Sequence, residues 1–188
     1  MNENKIVIEF TEDNLQEFLC EYYKTHRKTK KPIVEDCLPR SMNKIITITN
    51  RIVQNNHKKH RALYVEYLIH KLGLEKIGIC ECDLKIEFVF PTLVRHDLDN
   101  LIGGLKEILD PFSDLGVILD DNYKVIKTLS ASGRYEKGIK KMIMTFDNCK
   151  YDVEATLKQM EKEKIKKEKR DKTIKENKLK KKTKTKKK

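Results

Sequence analysis

The chain has 188 residues, 38% hydrophobic and 37% charged, which suits one domain with a modest core plus extensions. The formal net charge is +12, and residues 151–188 hold 17 lysines and arginines against 7 acidic residues, so the body is nearly neutral and the excess lies in the tail. Five cysteines in a lysine-rich chain make no disulfide framework, Met1-Asn2-Glu3-Asn4-Lys5 is no secretory leader, and no apolar run reaches the roughly 18 residues of a membrane span; a cytoplasmic protein with no membrane partner is expected.

Residues 5–10, Lys-Ile-Val-Ile-Glu-Phe, read as a strand. Thr11, followed by Glu12 and Asp13, is placed to cap a helix whose apolar stripe is Leu15, Phe18, Leu19 and Tyr22. The basic run His26 to Lys31 marks a linker, so residues 1–31 form an N-terminal extension, either an added αβ piece or an edge strand for the main sheet. Pro32 to Leu38 is predicted as a short strand and Pro39 to Asn50 as a loop. In that loop Ser41, Asn43 and Lys44 are candidates for contact with a DNA backbone, although loop polarity explains them equally. Residues 51–72 read as a helix with Leu63, Tyr67 and Leu72 on one face, near Ala62 and Ile69, and Gly73 as its natural stop. His57-x-x-His60 and Cys80-x-Cys82 invite a zinc reading, but the spacing departs from the usual one, and the two cysteines more simply share a strand face.

From Asp83 to Pro91, Leu84, Ile86, Phe88 and Phe90 alternate with Lys85, Glu87 and Val89 at the period of a strand, which Pro91 ends. Leu101, Ile102, Leu105, Ile108, Leu109 and Phe112 then recur at helical spacing, with Asp99 placed to cap and a stop near Asp110-Pro111. Gly103-Gly104 inside that helix costs about 1 kcal/mol per residue relative to alanine, which implies close approach of another backbone or of DNA. Gly116 to Leu119 returns the chain, and Asp120-Asp121 open the next strand. If that strand pairs beside the first, Asp97, Asp99 and Asp121 gather at one sheet end, as three carboxylates suited to magnesium. Taken singly, Asp-x-Asp-Asn is an ordinary cap and Asp-Asp an ordinary turn; the conjunction carries the metal reading.

Tyr123 to Ser132 and Ile139 to Phe146 read as strands of a hairpin across Gly133 and Lys137-Gly138, with Lys124, Lys127, Arg134 and Lys137 either facing phosphate or simply decorating the strands. The tail from Tyr151 begins as a helix with Val153, Leu157 and Met160 on one side, and is expected to fray by Lys180-Lys181-Lys182. Its positive charge favours phosphate contact or serves only solubility.

The residues Asp97-Leu98-Asp99-Asn100-Leu101, then Lys106, Asp110, Gly116-Val117 and Asp120-Asp121, resemble the RusA family of Holliday junction resolvases, which are often phage-borne; Leu38-Pro39-Arg40-Ser41-Met42-Asn43-Lys44 resembles a segment near the start of that domain. The match spans about residues 32–148. It implies a nuclease domain at 32–150, followed by a lysine-rich tail at 151–188. It also implies a homodimer that cleaves four-way DNA junctions using magnesium held by Asp97, Asp99 and Asp121, with Asp120 a neighbour; Arg95, Lys124 and Lys127 are added as candidates for DNA contact. The family lysine usually lies four residues after the second aspartate, where this chain has Gly103; here the lysine is Lys106, seven residues on, which one continuous helix would return to nearly the same face. The expected fold class is α+β, with core order β-α-β-α-β-β and a mixed sheet covered by helices on one face. The alternatives are a non-catalytic nucleic-acid-binding protein that uses the tail, with the aspartates only capping, and another magnesium-dependent phosphohydrolase.

Overall fold

The computed structural model describes residues 4–185, without the side chains of 167, 171 and those from 174 onward. Its order is β1 (Ile6–Thr11), α1 (Glu12–Thr25), α2 (Met42–Ile46), α3 (Arg51–Lys71), β2 (Ile79–Phe90), α4 (Leu98–Gly103), α5 (Lys106–Asp114), β3 (Ile126–Tyr135), β4 (Lys141–Tyr151) and α6 (Val153–Thr185). The four strands form one mixed sheet in the order β1-β4-β2-β3, so the fold class is α+β.

The alternation in β2 drives the assembly. Leu84, Ile86, Phe88 and Phe90 bury one face, and Met142, Met144 and Phe146 of β4 with Ile8 and Phe10 of β1 continue it. Against this face pack α1, α3 and α5: Phe18 and Tyr64 stand 5.4 Å apart, Tyr64 meets the edge of Phe10 at 6.0 Å, and Phe112 lies 5.5 Å from Phe146. The opposite face is polar and cross-linked by ion pairs such as Lys85–Asp147 at 2.7 Å and Arg134–Glu87 at 2.8 Å.

Of the two placements open for the front segment, β1 takes the edge-strand one, pairing antiparallel with β4 from Ile6↔Phe146 to Thr11↔Lys141. Thr11 ends β1 and caps α1, its hydroxyl accepting from the Asn14 amide at 3.1 Å.

Several predicted elements differ. Residues 32–38 form no strand: Val34, Cys37 and Leu38 are buried, but side chains take up the backbone groups, Arg61 donating to the Asp36 carbonyl at 2.7 Å and the Tyr23 hydroxyl accepting from the Ile33 amide at 3.2 Å. The predicted loop at 39–50 contains α2. On α3 the buried face is Arg61, Tyr64, Val65, Leu68 and Ile69, while Leu63 and Leu72 are exposed. No hairpin joins β3 and β4: β2 lies between them, parallel to β3 and antiparallel to β4. The connection crosses the end of β2, where Glu136 and Gly138 donate to the Phe90 and Pro91 carbonyls.

The helix expected from Asp99 to Asp110 is two helices. Gly104 is the C-cap of α4, and a Cβ there would lie 1.9 Å from the Arg40 carbonyl oxygen, so the close approach implied by the glycine pair is made by the chain's own backbone. The ladder restarts shortly before Pro111, which sits buried inside α5 instead of ending it. In the tail, α6 runs through 180–182 to Thr185 where fraying was expected; residues 186–188 lie outside the described residues. No helix among the described residues is long and apolar enough to cross a membrane.

Candidate functional site

The chain leaves β2 at Phe90, and the His96 ring stacks on Phe90 at 4.1 Å and 8°, which fixes the approach to α4. Leu98 then seats α4 over β3, its side chain in the space a Cβ at Gly133 would crowd at 3.1 Å. Asp97 occupies the cap position of α4, yet its side chain makes no capping hydrogen bond. Asp99 follows in the first turn, and both carboxylates are exposed. A helix start with no side-chain cap and exposed carboxylates departs from the ordinary use of Asp-x-Asp-Asn, in which the side chain closes the first turn. Arg95 lies 3.9 Å from Asp97 and is 95% exposed, a contact too open to neutralise it.

Lys106, the first residue of α5, reaches Asp110 at 3.1 Å and Asp121 at 3.0 Å, and Lys58 of α3 reaches the other oxygen of Asp110 at 2.5 Å. The chain Lys58–Asp110–Lys106–Asp121 ties α3, α5 and the loop before β3 together. Hydrogen bonds to Asp121 and then Asp110 hold the Lys106 ammonium above its ordinary range. Burial pushes the Asp110 carboxyl up, but the bonds from Lys58 and Lys106 outweigh it and hold the group below the ordinary carboxylate range.

Asp120 and Asp121 diverge. Asp121 turns to Lys106, while Asp120 closes its own loop, accepting from the Asp121 amide and the Asn122 side chain, each at 2.7 Å. They precede β3 in a loop rather than opening the strand. Because β2 and β3 are parallel, from Cys82↔Ile126 to Phe90↔Tyr135, the end of β2 and the start of β3 lie at opposite ends of that pair. Helices α4 and α5 carry the chain from one end toward the other, and Lys106, seven residues after Asp99, bonds Asp121. Among the described residues, no three histidine, cysteine or carboxylate groups are set to hold a metal ion together. Between α4 and α5 the backbone stays right-handed helical through Gly104 and Leu105, but it tightens to i→i−3 bonds, so Lys106 follows Asp99 along a locally overwound path.

Besides Arg95, the residues expected to contact DNA lie on α2, in a groove beside α6 and at Glu81 of β2. Ser41 caps α2, accepting from the Lys44 amide at 3.4 Å, and Asn43 and Lys44 are exposed on that helix, which packs against α4 through Met42 at Gly103. Arg40 fixes this corner with a paired hydrogen bond to Glu107 of α5. Lys124 lines a groove with Leu119, Asp120, Asn122 and the α6 residues Lys158 and Gln159, whereas Lys127 faces Glu81 at 3.7 Å. Sequence reasoning missed the joining of Lys58 to Asp110, for which a separation of this length leaves no local signal, and the contact of α6 with the Asp120 loop. No protein-family model matches the chain, and no curated protein matches its sequence.

Proposed function

We propose that the protein is a magnesium-dependent endonuclease of branched DNA, working in the manner of the RusA resolvases that its 97–121 segment resembles. The observation that carries this reading is the pair Asp97 and Asp99, exposed at the start of α4 with neither side chain used in capping. Were these aspartates only caps, the Asp97 oxygen would be bound to the first turn.

The donor set suits magnesium, a hard cation that binds through one or two carboxylates and leaves its other positions to water and phosphate. Asp97 and Asp99 would hold it, and Asp121 would join them only by releasing Lys106. When bound, the ion neutralises phosphate charge and acidifies a water for attack on the phosphodiester. The chain's own groups do the rest. Lys106 offers an ammonium to the phosphate charge, Asp110, itself bound by Lys58, holds that ammonium in place, and Asn43 and Lys44 on α2 flank α4 to receive the DNA backbone. Two copies of the chain would give paired nicks across a junction.

The test is cleavage of a synthetic four-way DNA junction, with and without magnesium, by the wild type and Asp99→Asn. Symmetric nicks that require the metal and vanish in a variant with an unchanged thermal melt are expected. Junction binding without nicks, for both proteins and across several divalent metals, would replace this reading with that of a binding protein. Turnover of small phosphates without preference for branched DNA would replace it with that of another phosphohydrolase.

A further inference from the structure

Helix α6 lies outside the segment that carries the family resemblance, and two features of it combine. Its first turns are seated on the body. Thr156 is buried, its hydroxyl donating to the Asp152 carbonyl at 2.9 Å, and a Cβ at Gly116 would run into Met160 at 2.6 Å and Thr156 at 3.0 Å. From Glu161 outward every described side chain is exposed, so the helix leaves the body as an arm.

Along this arm the cations are ordered. Lys158, Lys162, Lys166 and Arg170 follow at every fourth position, with Lys169 beside them, so they fall on one slowly winding row with a rise of about 6 Å per step. Lys162, Ile165, Lys166, Lys169, Arg170 and Thr173 line one continuous shallow surface. Lys158 and Lys162 also line the groove against the Asp120 loop, where Lys124 adds a further cation. The one acid in that groove, Asp120, has its oxygens engaged by the Asp121 amide and the Asn122 side chain. Glu161 and Glu168 fall outside the row, and two of its members are paired on the open surface, Lys158 with Glu154 and Lys166 with Glu163, each at 3.3 Å.

We infer that this row, from Lys124 through Lys158, Lys162 and Lys166 to Arg170, is a phosphate-tracking surface that holds a duplex DNA arm against the body beside the Asp120 loop. A regular file of fixed cations complements a regular file of phosphates, and each contact releases a condensed counterion. A membrane surface is the poorer partner: a helix that lies on lipid needs a broad apolar face, and this arm has only Ile165 on its described exposed length. The inference rests on the DNA-directed part of the proposed function and not on cleavage.

Binding of a duplex oligonucleotide by the full chain is measured by fluorescence anisotropy across a salt series, in EDTA, so that loss of cleavage and loss of tracking are separate results. The row variant is Lys162→Gln, Lys166→Gln and Arg170→Gln. The control removes the same charge elsewhere, as Lys28→Gln, Lys30→Gln and Lys164→Gln. Glutamine keeps the helix propensity of the residues it replaces, and circular dichroism checks the helix content. The slope of log affinity against log salt is expected to fall in magnitude by about 2.7 in the row variant, at 0.9 per lost phosphate contact, and to stay near the wild-type value in the control. Equal changes in the two variants, or none in the row variant, would overturn the assignment. So would equally tight binding of polyglutamate or phosphatidylserine vesicles.

Discussion

At the scale of single residues, Asp110 holds the ion-pair chain together, because it touches both Lys58 and Lys106. Its carboxyl is held below the ordinary value despite burial, so the group releases its proton more readily folded than unfolded. A depressed carboxyl contributes stability above the unfolded value, near 3.9, and loses it as pH falls through the folded value. Asp110→Asn is expected to cost roughly 1 kcal/mol at neutral pH, a modest figure because both lysines are half or more exposed. The gap from the wild type should close as pH falls below about 4, which urea denaturation at several pH values measures; a gap unchanged near pH 2 would assign the cost to something else. The Asp-x-Asp motif and the later Asp-Asp pair are legible in the sequence because each is local. The partner of each aspartate is not. Asp121 meets Lys106 and Asp110 meets Lys58 only through packing of α5 against its neighbours, which no short window of sequence contains.

At the scale of elements, β1, α1, α3 and β2 follow from periodicity and from local caps such as Thr11 and Gly73. The predicted 99–110 helix failed for a reason held elsewhere in the chain. Hydrophobic spacing continues through Gly103-Gly104, but the ladder tightens there to i→i−3 bonds, and the Arg40 carbonyl fills the place of a Gly104 side chain, a contact no local window contains. The hairpin failed similarly. Only Gly138 marks the turn after β3, since Gly133 lies within the strand opposite Phe88, and β2 offers both edges and takes a strand on each. Gly104→Ala should therefore destabilise the fold by about 3 kcal/mol, since the added methyl meets backbone and not a movable side chain. A lower urea midpoint with an unchanged slope is the expected result. A midpoint equal to the wild type would mean that the corner yields freely.

At the scale of the whole molecule, the front segment is structural. Ile8 and Phe10 are fully buried, and Phe18 and Leu19 of α1 close the same core over Tyr64. Residues 32–150 therefore lack one edge strand and part of a layer when cut from the chain. Deletion of residues 1–11 is expected to give a species that binds hydrophobic dyes and lacks dispersed amide resonances, because two large apolar side chains and every β1–β4 hydrogen bond go with it. A well-dispersed spectrum from that truncation would show the remaining strands to be self-sufficient.

The β1–β4 pairing also sets a schedule. Ile6 finds its partner at Phe146, so the first strand made is completed by the last. At ribosomal speeds of about 5–20 residues per second, the nascent chain carries Ile6–Thr11 for roughly 7 to 30 seconds before its partner exists. Contacts this far apart in sequence slow the search for the native state. During that interval Ile-Val-Ile-Glu-Phe is an unclaimed adhesive segment, and the yield of folded protein depends on what shelters it until translation reaches β4.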